Sequence, residues 1–180
     1  MPADTDGQSA PKTAGRPAGP IGRQLLALVG FLALSYAVCL LAAVPITLHM
    51  NGWFATSAKA PWMPAAWMFR SVWMALYACI GVTGWLLWRR GALTGSALRW
   101  YGLQLLLNLA WPFAFFAMYP MLGPVALWLA LAVICALAAV LVLLILDVGP
   151  VHTVAGLLVL PYFSWVVFSA SLNLYSAIHD

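Results

Sequence analysis

Two side-chain amides, an indole and a phenyl ring recur at helical spacing inside an apolar stretch. Gln104, Asn108, Trp111 and Phe115 follow one another at i, i+4, i+7 and i+11, which places all four on one helix face. An amide in hydrocarbon must find a partner or face a cavity. Both readings stay open here: Gln104 and Asn108 as hydrogen-bonding glue between helices, or as the polar points of a ligand cavity. A second stretch carries Trp73, Tyr77 and Gly84 roughly on one stripe, and a third carries Tyr162, Trp165, Ser169 and Asn173. Trp73, Trp111 and Trp165, with Tyr77 and Asn108, could line a flat aromatic slot. Such a slot would suit a planar, mostly apolar ligand held by stacking and one or two hydrogen bonds.

Other chemistry is poorly supplied. The apolar stretches contain no central Asp, Glu, Lys or His, the groups that proton- and ion-coupled transporters place there. Cys39, Cys79 and Cys135 each fall inside an apolar run, outside any C-x-x-C or Cys/His cluster. They read as small hydrophobes, and no metal site is expected. No acid–base pair suggests conventional catalysis. Most of the ten tryptophans have a simpler account. Trp53, Trp62, Trp67, Trp85, Trp88, Trp100 and Trp128 lie near the ends of apolar runs, where an interfacial aromatic belt sits.

The elements that must position these side chains follow from composition. Of 180 residues, 65% are apolar and 7% charged, with four Asp and no Glu. A soluble domain averages roughly 25% charged residues, so this chain cannot cover a globular surface with charge. Its apolar runs reach the length of about 20 residues that a membrane helix needs. The expected fold is an all-α integral membrane protein, a bundle of five transmembrane helices. These run at about 22–48, 67–88, 97–119, 125–146 and 153–178, with Pro112 interrupting the third. Residues 1–21, rich in Pro, Gly and Ala, read as a flexible tail, and 22–180 as one domain. The longest connection, 49–66, is too broken by proline to span. Continuous rather than alternating runs argue against a β-barrel.

Lys12, Arg16, Arg23, Arg89, Arg90 and Arg99 fall on one side of this arrangement, and Lys59 and Arg70 on the other. That bias predicts a cytoplasmic N-terminus and an external C-terminus. It also accounts for the net charge of +4, so no nucleic-acid partner is expected. The small residues Gly102, Ala126 and Ala130 are expected to permit close helix approach in a homodimer.

The order of these residues resembles the TspO/MBR family, the translocator or tryptophan-rich sensory proteins. The family's loop-to-helix pattern is approximately W-[YF]-x-x-L-x-K-P-x-W-x-P-P-x-W-x-F-x-x-x-W-x-x-L-Y. It is met without a gap by Trp53, Phe54, Lys59, Trp62, Pro64, Trp67, Phe69, Trp73, Leu76 and Tyr77. Q-x-x-x-N-x-x-W is met by Gln104, Asn108 and Trp111, and P-Y-x-x-W followed by L-N by Pro161, Tyr162, Trp165, Leu172 and Asn173. The chain departs from the family at Ala60 and Ala65, where prolines are usual, at Arg70, and at Pro112, one place early.

The resemblance implies a five-helix bundle, usually dimeric, in a membrane, here expected to be the inner membrane of a bacterium. It implies a pocket lined by Trp62, Trp73, Tyr77, Asn108, Trp111, Trp165 and Ser169, under a lid that includes Trp53, Lys59 and Pro64. The implied ligand is a tetrapyrrole such as protoporphyrin IX or heme, with no required cofactor. Leu172 and Tyr175 are not followed by the Lys or Arg of the family's sterol motif, which favours a tetrapyrrole over a sterol. The expected function is a membrane receptor or carrier. The alternatives are light-dependent porphyrin degradation through Trp73 and Trp165, or an assembly role in a pigment-bearing membrane complex.

Overall fold

The structure, a computed structural model, describes residues 20–180, so the expectation for the N-terminal tail lies outside the described residues. Seven α-helices and no strands occur in that range. They are α1 (Ile21–His49), α2 (Trp53–Thr56), α3 (Ala66–Arg89), α4 (Gly95–Pro112), α5 (Tyr119–Leu122), α6 (Pro124–Val148) and α7 (Thr153–His179). Four of them, α1, α3, α6 and α7, are long and apolar enough to cross a membrane.

The third expected helix, 97–119, is not one continuous element. α4 stops at Pro112 and the chain continues as a π-helical turn, Phe113–Ala117, before α5. The cause is proline. Pro112 has no N–H to offer the Asn108 carbonyl, so the α-helical ladder breaks there. The Met118 N–H instead reaches back five residues to the Phe113 carbonyl, at 3.1 Å, the hydrogen bond of a π-helix. The long connection, expected to be too broken by proline to span, contains only the four-residue helix α2.

α1 packs on α3 and α4, α3 also on α7, α7 also on α6, and α6 also on α4. The five long helices therefore close a ring. Close approach is built in at Gly84, where a Cβ would stand 2.4 Å from the Tyr101 hydroxyl and 2.7 Å from Phe31. The α3–α4 turn closes at Gly91, whose φ of +67° suits glycine. There the Ala92 N–H bonds back to the Leu87 carbonyl, as in a Schellman cap.

The ring is apolar on both faces. Leu87, Leu127, Ile134, Leu137, Leu141 and Val166 fill its interior, while Leu26, Leu40, Leu106, Leu146 and Leu157 point outward, exposed. An outer surface of leucine is what a lipid-facing protein shows. Ala126 and Ala130, expected on a dimer face, are 0% exposed within the single chain. α6 turns them inward, so they cannot contact a second copy; Gly102 remains exposed.

Candidate functional site

A cavity of about 640 Å³ opens at the end of the ring where α1 and α7 finish and α3 begins. α1 contributes Cys39, Ala42, Ala43 and Ile46, and α3 contributes Phe69, Arg70, Trp73 and Tyr77. α4 and the π-helical turn contribute Asn108, Trp111, Phe115 and Phe116. α7 presents Ser169, Leu172, Asn173 and Ser176, at i, i+3, i+4 and i+7, one face of that helix. Phe54, Lys59, Ala60 and Pro64 come from the 50–65 connection.

The polar groups of the wall are tied into a relay. The Tyr77 hydroxyl donates to Asn108 Oδ1 at 2.6 Å, Asn108 Nδ2 donates to the Tyr162 hydroxyl, and that hydroxyl donates to Gln104 Oε1 at 3.2 Å. One turn nearer the mouth, Trp111 Nε1 donates to Asn173 Oδ1 at 3.0 Å, and Asn173 Nδ2 donates to the Leu127 carbonyl at 2.9 Å. The amides thus divide between the two sequence readings. Gln104 is buried between α4 and α7 and does not reach the cavity. Asn108 does both, joining three helices while facing the cavity. Ser169, 1% exposed, has no hydrogen-bond partner for its hydroxyl.

The aromatic wall is continuous. The Trp73 and Trp111 rings are stacked at 6.3 Å and 26°, and Trp111 meets Phe115 at 5.9 Å. Lys59 and Arg70 are the only charged residues lining the cavity among the described residues. Lys59 Nζ sits 4.1 Å from the Phe54 ring centroid, donates to the Phe54 and Ser57 carbonyls, and reaches Ser57 Oγ at 2.8 Å. Burial pulls its ammonium below the ordinary lysine value, which the Asp180 carboxylate partly offsets.

The structure brings Trp73, Tyr77, Asn108, Trp111, Ser169, Lys59 and Pro64 to the cavity, and leaves three other expected residues off its wall. Trp165 stands one turn further from the mouth than Ser169 and packs on Phe69 and Phe168. Trp62 is 51% exposed, donates to Ser171 Oγ at 3.2 Å and meets Tyr175 edge-on. Trp53 stacks on Tyr119 at 3.7 Å and donates to the Phe116 carbonyl at 3.1 Å. In a regular helix that carbonyl would await the N–H of Pro120, which has none. Trp53 and Trp62 are therefore clamps for the connection, with the Ala58 N–H adding a bond to Asp180 Oδ1 at 2.9 Å. Sequence reasoning missed Arg70 and Asn173 as wall residues. Asn173 shares the Ser169 stripe, so its spacing was a usable signal. The α1 wall of small residues carries no polar mark to find.

Fold and site together define a helical membrane protein with one aromatic cavity under a strapped connection. The TspO/MBR family model matches residues 29–178, and the chain belongs to that family. It is 31% identical over 160 residues to the tryptophan-rich protein TspO of Chlorobaculum tepidum, covering 85% of this chain and 95% of that one. It is 33% identical over 122 residues to the TspO of Archaeoglobus fulgidus (67% and 75%). The human translocator protein is also 33% identical, over 125 residues (67% and 70%).

Proposed function

We propose that the chain is a membrane receptor or carrier for tetrapyrroles of the protoporphyrin type, held in this cavity. One observation carries the reading: an aromatic and apolar wall whose only charged lining residues, among those described, are the cations Lys59 and Arg70. A flat apolar macrocycle with carboxylates along one edge matches that division. The rings stack against Trp73, Trp111 and Phe115, and the carboxylates meet the two cations near the 50–65 connection. The volume lies within the roughly 300–1,000 Å³ of small-molecule sites.

The proposal includes five membrane crossings. α4 with its π-helical turn runs from Gly95 to Ala117, about 34 Å of axis at 1.5 Å per residue, enough for the hydrocarbon core. The N-terminus is then cytoplasmic, in the inner membrane of a bacterium, and the working unit is a homodimer.

A visible-absorption titration tests the binding, with protoporphyrin IX compared against its dimethyl ester. The acid should bind several-fold more tightly than the ester, and Lys59→Ala with Arg70→Ala should remove the difference. Equal binding of both forms by the wild type would remove the basis of the reading. A second reading, light-driven degradation of the pigment, has the Trp73 and Trp111 indoles on the wall in its favour. Illuminating the same samples decides it, since an enzyme bleaches the pigment and a carrier only binds it.

A further inference from the structure

A second, smaller cavity of about 280 Å³ lies at the opposite end of the ring, between the α3–α4 turn and the end of α6. Leu87, Ala97 and Val148 form its apolar base, and Thr94, Ser96 and Asp147 supply its polar groups. Asp147 is half-buried, and its Oδ2 is buried without a hydrogen-bond partner among the described residues. A carboxylate oxygen withdrawn from water is costly unless a donor meets it. Its position on the last turn of α6 adds to the demand, because free carbonyls there carry partial negative charge.

Arginines stand at this end and are engaged elsewhere. Arg23 lies over Trp88 at 5.7 Å, Arg89 over Trp85 at 5.4 Å and Arg99 over Trp100 at 5.9 Å. These guanidinium–indole pairs mark the level of the lipid headgroups. Here a negative pocket sits beside a rim of positive charge, the reverse of the charge order in a zwitterionic aminophospholipid.

We propose that this cavity binds the primary ammonium of an ethanolamine phospholipid, with the lipid phosphate toward the arginine rim. The ammonium has three N–H donors: the Asp147 carboxylate takes one, and the hydroxyls of Thr94 and Ser96 can accept the others. A choline headgroup has no N–H to give and is bulkier. The assignment requires the bundle to lie in a bilayer and is independent of what the large cavity holds.

Native mass spectrometry of the full chain, with ethanolamine, choline and glycerol phospholipids of the same acyl chains, tests it. One ethanolamine lipid per chain should be retained about tenfold over the choline lipid, as expected for a charge-assisted hydrogen bond. Asp147→Asn should abolish that preference, and Asp180→Asn, at the other end, should keep it. Ala92 also lines this cavity; Ala92→Leu, which fills the pocket without changing charge, should also abolish the preference and covers the case in which Asp147→Asn fails to fold. Equal retention of the ethanolamine and choline lipids would overturn the proposal, as would a preference that survives both pocket variants. Sodium or ammonium ions raising the thermal midpoint in choline-lipid discs as much as the ethanolamine lipid does would also overturn it, by marking a free-cation site.

Discussion

Asn108 is the residue on which three helices depend. Its oxygen accepts from Tyr77 of α3 and its nitrogen donates to Tyr162 of α7, with all three groups buried. From sequence alone, Asn108→Ala should weaken binding and leave the bundle folded. The structure changes that expectation, because losing the amide strands the Tyr77 hydroxyl and leaves the Tyr162 hydroxyl with Gln104 alone. Asn108→Leu should lower stability by about 1–3 kcal/mol, read as a fall in thermal midpoint in detergent before any ligand is added. Trp111 is the better probe of the site. Trp111→Ala should weaken protoporphyrin binding roughly tenfold to a hundredfold. Trp88→Ala, at the far end under Arg23, should change affinity little. Similar losses in both variants would place the ligand elsewhere. Gly84 gives a packing test. Gly84→Ala drives a methyl into Tyr101 and Phe31 and should cost about 1–3 kcal/mol. Gly102→Ala, with nothing within 4 Å, should be neutral or raise stability by up to about 1 kcal/mol.

At the scale of elements, the helix positions were legible because apolar runs and proline or glycine stops are local signals. The sequence places the second span at 67–88, and α3 is Ala66–Arg89. The π-helical turn was not legible in the same way. Pro112 announces a break but does not say whether the chain kinks, stops or widens, because that depends on what Phe115 and Phe116 pack against. The site shows the same division. Stripes on α3, α4 and α7 were readable from spacing, whereas the roles of Trp53 and Trp62 depend on long-range partners that no spacing reveals. These clamps make a prediction for the connection. Trp53→Phe keeps an aromatic ring for Tyr119 but deletes the indole N–H that meets the Phe116 carbonyl. Faster hydrogen exchange should follow in 50–65 and in the π-helical turn, with the exchange of α6 unchanged. No change in 50–65 would mean that stacking alone holds the strap.

For the whole molecule, the separation of charge between the two ends of the ring is the feature to test. Arg23, Arg89, Arg90 and Arg99 share one end, and Lys59, Arg70 and Asp180 the other. A cysteine at position 180, in a background without Cys39, Cys79 and Cys135, should react with an impermeant reagent on intact cells. Reaction only after lysis would reverse the topology. The closed ring also bears on how the protein is made. Among the long helices α1 packs chiefly on α3 and α4, and the circle is completed when α7 settles between α3 and α6. α7 is the last of these elements to leave the ribosome, and it carries Ser169, Leu172, Asn173 and Ser176 of the cavity wall. A nascent chain therefore has no finished cavity until α7 has been made, and on the proposed reading a ligand is captured only after that. Ligand capture would then double as a report that the ring has closed.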